Sequence, residues 1–428
     1  KKFKNICLYL IIVHLLLITF TFLIRGIFID LPIYRDLMFL IITPICLTIK
    51  IKIFKYNIVH ALMYLYLFCG LFYVLVWSLL GANINSLLFM YKNHFFPFIL
   101  YHFVFNMLNY DIATRKILKI LNFIFIIGIT SVCFEYLYLK ILNNSPYDIP
   151  WYEIVFKYDD RYIGSIGEKY GYILPEQTPI LGLLGFPHAT AAFIVGLTGF
   201  SIFKLIGNKK FQFSLNQKFI NLFIMFFVIV ITFIILKVKT QMVILIFLCT
   251  FLPMIFKKRN LFIIFILLAV TISFFVSEQL YINSILNSFS EGFLYTNTRE
   301  SSFSAIISKN PITTLFNQPL LNILFGSPAG ITEGSELRLL NFTLQFGIIW
   351  LILFISIVVN VLKNTYKKIN SNIIGFYEIY SMFVLFVFTF VGFLDTGHYA
   401  RIMWFPLIDV FVILIAISNS YQVNNIKN

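Results

Sequence analysis

Charge is scarce in this chain. Lys, Arg, Asp and Glu make up 12% of its 428 residues, against about 25% in a soluble globular domain. Acidic residues are the rarer sign, 18 against 33 basic ones. So little charge excludes a disordered protein, a charged coiled-coil rod and a cytosolic enzyme. Cysteine is sparse too. Cys7, Cys46, Cys69, Cys133 and Cys249 form no CxxC pair, and all five lie in apolar runs. They read as small buried residues, with no disulfide frame and no metal cluster. There is no GxxxxGK[ST] loop, no HExxH, no GxSxG and no paired His/Cys metal spacing. ATP-driven transport and metalloproteolysis therefore lack support. No internal repeat is visible, which lowers the case for an inverted-repeat transporter.

What is abundant is apolar surface. Hydrophobic residues make up 60% of the chain and aromatic residues 19%, with 52 Phe and 24 Tyr. The mean hydropathy is +0.90. The class expected is all-α, a polytopic integral membrane protein forming a single membrane domain over 1–428. A transmembrane β-barrel is excluded, because its strands alternate apolar and polar residues, whereas 219–236 is apolar on nearly every face. A spanning helix needs about 20 apolar residues. Twelve candidates follow: 5–24, 37–49, 57–80, 95–110, 117–139, 179–203, 219–236, 241–256, 261–277, 339–362, 373–394 and 405–420. Lys1, Lys2 and Lys4 precede the first run as in a signal peptide, but no small-residue cleavage site follows it. An uncleaved first span is expected.

The basic residues set the orientation. With the N-terminus inside and the spans alternating, the inner segments hold 20 basic and two acidic residues, a net +18. The outer side holds 13 basic and 16 acidic residues, a net −3. Both termini are therefore expected on the cytoplasmic side. The formal net charge of +15 is then a topology signal beside anionic lipid, and no nucleic acid is expected. Two outer loops are long, 140–178 and 278–338. Loops of that length in a compact protein are usually functional or disordered. Their aromatic residues, Trp151, Tyr152 and Tyr162 in the first and Phe293 and Tyr295 in the second, suit packing or ligand stacking.

Residues able to carry chemistry lie on that outer face. Arg161 follows Asp159-Asp160, so it pairs with one of them or clamps a phosphate with its planar, permanently charged fork. His188 follows Pro187 near a helix start, as a structural hydrogen-bonding group or a substrate contact. Lys237 and Lys239 mark a tight outer turn. They either snorkel to water or, for Lys239, serve a site at the top of the bundle. The second loop carries Thr298-Arg299-Glu300, then Leu324-Phe325-Gly326-Ser327-Pro328-Ala329-Gly330, then Glu333 and Glu336 before Arg338. Glu336 suits a helix N-terminus, and it equally suits a general base or a hydrogen bond to a sugar hydroxyl. The last outer turn holds Asp395, His398 and Arg401. His398 is a proton acceptor near neutral pH or a partner of Asp395. Five cations, Arg161, Lys239, Arg299, Arg338 and Arg401, would suit a diphosphate at the lipid boundary if they converge.

These segments resemble the bacterial O-antigen polymerase (Wzy) family and the related O-antigen ligases. The resemblance lies in the order of Arg161–Gly164, the span entry Gly185 to Phe193, and the basic turn at Lys237 and Lys239. It continues through Arg299, Leu324–Gly330 and the entry Asn341–Trp350, and so covers about 161–350. It implies a GT-C-like glycosyltransferase fold in the bacterial inner membrane with its active site facing the periplasm. It implies no metal and no cofactor. The donor would be a glycan on undecaprenyl diphosphate. An acceptor hydroxyl would attack the anomeric carbon, and lipid diphosphate would leave. Arg161, Arg299 and Lys239 would hold the diphosphate. Glu336, Glu333 and His398 compete as base, with Glu336 favoured at the family-like helix entry. Partners implied are the undecaprenyl-diphosphate-linked oligosaccharide and membrane lipid, with a chain-length regulator as a further candidate. Ligases usually carry a His-Asn-like pair where this chain reads Glu336-Leu337-Arg338-Leu339-Leu340-Asn341. Their Ser-Arg-like turn is Lys237-Val238-Lys239-Thr240 here. Polymerase is therefore expected over ligase. A flippase for the same lipid-linked sugars and a scaffold subunit are the competing classes.

The missing ligand cluster makes a direct prediction. Activity should survive EDTA in a washed-membrane assay, and a loss restored by Mg²⁺ or Mn²⁺ would overturn it.

Overall fold

A computed structural model describes residues 2–20, 24, 34–48, 58–107, 110–149, 152, 180–182, 184, 187–198, 201–202, 205, 215–236, 239–255, 259–277, 318–327, 338–370, 409–410 and 412–417. Among the described residues the structure is helical and contains no strand. The helices are α1 (Lys2–Thr19), α2 (Tyr34–Leu47), α3 (Ile58–Leu79), α4 (Ile84–Met107), α5 (Tyr110–Tyr136), α6 (Pro187–Leu197), α7 (Leu215–Val230), α8 (Lys239–Ile255), α9 (Arg259–Ser277), α10 (Leu320–Phe325) and α11 (Arg338–Asn370). Four described stretches are long and apolar enough to cross a membrane: Ile58–Leu79, Lys116–Ile141, Leu215–Ile235 and Thr343–Asn364. Their surfaces agree with that reading. On α7, Phe219, Ile220, Phe223 and Phe226 form an exposed apolar stripe, and on α3 Phe68, Leu71, Phe72, Leu75 and Leu79 do the same. Water-facing helices put polar side chains there; lipid-facing ones do not. The chain is thus consistent with a helical membrane protein. All five cysteines are free, three of them buried and two half-buried.

Several element ends differ from the sequence reading. The span expected at 95–110 overlaps a helix that starts earlier, at Ile84, and ends at Met107. Gly81, at φ +84°, closes the preceding helix, and the Asn83 side chain accepts from the Asn85 N–H at 2.9 Å. These capping contacts leave only residues 80–83 between α3 and α4. The span expected from 179 begins as a helix only at Pro187, the residue type best suited to a first helical position. The long second loop contains α10. The expected span 373–394 lies outside the described residues, and of 405–420 only 409–410 and 412–417 are described, all helical.

The chain divides into two compact units. One comprises Lys1–Ile11, Asp36–Thr114 and Leu286–Asn428. Its centre is the α3–α4 hairpin, on which α11 packs. Tyr66 stacks on Phe98 at 3.9 Å. Trp350, buried in α11, donates its indole N–H to the Tyr66 hydroxyl and stacks on Phe354 at 5.5 Å. Such pairs add about 0.5–1.5 kcal/mol each beyond area burial. From α2, the Cys46 thiol donates to the Ile99 carbonyl at 3.7 Å.

α11 is broken at Gly347, where φ is +86° and ψ 173°. The break coincides with the docking of α10. A Cβ on Gly347 would lie 2.0 Å from the Leu324 carbonyl oxygen, and one on Gly326 would lie 1.9 Å from the Gln345 oxygen. Both positions have positive φ, so glycine is required twice over. The Ser327 N–H donates to the Leu344 carbonyl at 3.0 Å. From α3, the Tyr73 hydroxyl donates to the Ser327 carbonyl at 3.3 Å, and the Trp77 indole to the Phe325 carbonyl at 3.4 Å.

The second unit comprises Ile12–Arg35 and Arg115–Ile285. α8 packs on α6 and α9, and α9 also touches α7. α5 and α7 each end in a π-helical turn, Leu137–Ile141 and Ile231–Ile235. Each turn closes with an N–H reaching the carbonyl five residues back, Leu142 to Leu137 at 2.9 Å and Leu236 to Ile231 at 2.8 Å.

Gly326→Ala and Gly347→Ala should each cost more than about 2 kcal/mol, from positive φ plus backbone overlap. Thermal melts of purified protein in detergent should show both variants well below Gly128→Ala, whose Cβ would meet only Ile194 at 3.7 Å.

Candidate functional site

Three of the expected site residues lie on described helices, all in first turns. His188 is the second residue of α6, Lys239 the first of α8 and Arg338 the first of α11. Backbone N–H groups there lack intrahelical acceptors, and the helix dipole favours anions. The side chains of these three lie outside the described residues, as do Arg161, Arg299, Glu333, Glu336, His398 and Arg401.

The best-formed polar centre is one that sequence reading did not single out. It gathers at the end of α5 that leads into the 140–178 segment. Glu135 is wholly buried. Its Oε2 accepts from the Tyr152 hydroxyl at 2.8 Å, the Leu181 N–H at 2.9 Å and the Gly182 N–H at 2.9 Å. The Leu181 N–H also lies 3.2 Å from the Tyr152 oxygen. Consecutive N–H groups turned to one side form an anion cradle. The turn has that shape because Gly182 sits at φ +66°. A Cβ there would lie 2.4 Å from the Thr190 methyl group. Thr190, in the first turn of α6, donates its hydroxyl to the Leu181 carbonyl at 2.6 Å. Further along, Gly128 of α5 lies against Ile194 of α6.

This centre anchors the expected span entry Gly185 to Phe193. A carboxylate in an apolar surround is costly unless fully hydrogen-bonded, so three donors on one oxygen mark it as built for its place. Its sequence signal was a lone acid inside the apolar run 117–139. An ionisable residue within a span is a functional candidate by default.

A second buried polar group lies in the other unit, between α3 and α4. His60 Nδ1 and the Tyr101 hydroxyl are 2.7 Å apart. The Tyr64 hydroxyl shares a hydrogen bond with His102 Nδ1. The Asn106 amide reaches the His102 carbonyl at 2.8 Å. The first two bonds join the two helices, the third lies within α4, and His60 also packs on Phe105 at 4.4 Å. Neither histidine stood in an outer motif, so neither was singled out. Among the described residues no group of three His, Cys, Asp or Glu side chains has the arrangement to hold a metal ion.

In comparisons with protein-family models, curated proteins and solved structures, nothing matches the chain.

Gly182→Ala should lose about 1–3 kcal/mol of stability, because the left-handed turn and the Thr190 contact both oppose a methyl group. Thr190→Val, which keeps the shape and removes one hydrogen bond, should lose about 1 kcal/mol. Detergent melts of the two variants check the order.

Proposed function

We propose that the protein is a polymerase of lipid-linked oligosaccharides in the bacterial inner membrane. In this reading its twelve spans adopt a GT-C-like arrangement, both termini are cytoplasmic and the site faces the periplasm. The observation that carries the reading is the packing of two stretches that resemble the O-antigen polymerase family. Leu324–Gly326 meets Gln345–Gly347 backbone to backbone, with Gly326 and Gly347 as the contact points. These stretches are separate in sequence, and both glycines combine a positive φ with this backbone contact. The anchored entry to α6 supports the reading from the other unit.

In the reaction an acceptor sugar hydroxyl attacks the anomeric carbon of the donor glycan. The new C–O bond forms as the bond to undecaprenyl diphosphate breaks. The hydroxyl proton passes to a base, for which Glu336 is favoured over Glu333 and His398. Glu336 stands two residues before the start of α11. The departing diphosphate carries the electron pair, and Arg161, Arg299 and Lys239, with Arg338 and Arg401, offset its charge. Lys239 and Arg338 each open a helix, a position whose orphan N–H groups favour an anion. His188 contacts the glycan.

Deleting the gene in the native host and running the surface glycan on a gel tests this. Collapse of the ladder to a single repeat unit is expected. Wild-type complementation should restore the ladder, and Arg161→Ala or Arg299→Ala, inserted at normal level, should not. Full-length polymer accumulating on undecaprenyl diphosphate would indicate ligase instead, and an unchanged ladder would defeat both.

A further inference from the structure

We propose that Glu135 is a positioning residue for this site: its carboxylate fixes the Leu181–Gly182 turn and so sets where the first turn of α6, with His188, meets the glycan. The inference rests on the polymerase reading for its substrate, and on geometry for the rest. Three groups converge on a single oxygen, Oε2: the Tyr152 hydroxyl and the N–H groups of Leu181 and Gly182. A neutral amide oxygen offers two lone pairs and no charge; a carboxylate oxygen holds three donors far better. The bonds cross 17, 46 and 47 residues of sequence, so one side chain ties a helix end to two distant segments. The tie continues without slack. The Leu181 carbonyl takes the Thr190 hydroxyl at 2.6 Å, and Thr190 is two residues from His188 in the same helical turn. The anchor itself sits where α5 gives way to a π-helical turn, a feature found frequently at functional sites.

A side chain that only stabilised the fold would change the amount of active enzyme. A positioning residue changes how substrate is held by the enzyme that does fold. The test uses full-length protein in membranes, with Glu135→Gln and Tyr152→Phe compared at equal folded yield. For the lipid-linked repeat unit, Glu135→Gln should raise KM about five-fold or more with kcat within about two-fold, as expected for losing a charge-assisted hydrogen bond. Tyr152→Phe should shift KM the same way by a smaller factor. Independently, a cysteine introduced by His188→Cys should react with a membrane-impermeant thiol reagent at a rate altered about three-fold or more by Glu135→Gln. Unchanged KM and unchanged labelling in Glu135→Gln would overturn the proposal. If that variant does not fold, Tyr152→Phe decides, and unchanged values there overturn it equally. The labelling rate does not depend on polymerase activity. An unaltered glycan ladder on gene deletion would therefore defeat the polymerase reading while labelling still judged the role of Glu135 in placing α6.

Discussion

Inside a bilayer no water is present to pair with a bare N–H or C=O. Every backbone group must find its partner within the protein. Helices meet that demand along their length, and the instructive places are where they stop. At the break in α11 the Leu344 carbonyl is taken by the Ser327 N–H at 3.0 Å. Ahead of α6, the Leu181 and Gly182 N–H groups are taken by Glu135. At the ends of α5 and α7 the ladder widens by one residue before it ends. Each irregular segment is bonded to a defined partner, and so each is held in one place.

That same demand explains the glycines. A carbonyl can be met by a distant N–H only where two backbones approach closely. Gly326 and Gly347 allow it at α10 and α11, and Gly182 makes room for the Thr190 side chain, whose hydroxyl meets the Leu181 carbonyl. Aromatic side chains then fill the space around the contact. Tyr73 and Trp77 donate to carbonyls of Ser327 and Phe325, while Phe346 sits 5.1 Å from Tyr73. Aromatic residues thus do two jobs: Phe219 and Phe223 line an exposed helix face, while Tyr73 and Trp77 pack closely with their polar tips bonded to carbonyls.

How visible these features were in the sequence depended on their physics. Leu324–Gly330 and Asn341–Trp350 stood out because glycines at fixed places interrupt apolar runs. Their pairing did not, since nothing local says that Gly326 meets Gln345. Glu135 was hidden by its setting. A single acid near the end of the run 117–139 looks like a boundary residue, and its worth comes from donors at 152, 181 and 182. The buried His60 and His102 were passed over likewise, because their partners Tyr101 and Tyr64 lie on the neighbouring helix. The cations Arg161, Arg299 and Arg401 were legible as residue types, and their placement lies outside the described residues.

The helical class of the described chain followed from the sequence alone, because transfer into hydrocarbon is a sum over residues and needs no knowledge of neighbours. The approximate positions of α3, α5, α7 and α11 followed for the same reason. The start of α4 at Ile84, the start of α6 at Pro187 and the break at Gly347 did not. The α4 start rests on the local cap at Gly81 and Asn83. The turn ahead of α6 and the break at Gly347 were decided by contacts between residues far apart in the chain, where a buried carboxylate or a second backbone outweighs the local preference for continuing or beginning a helix.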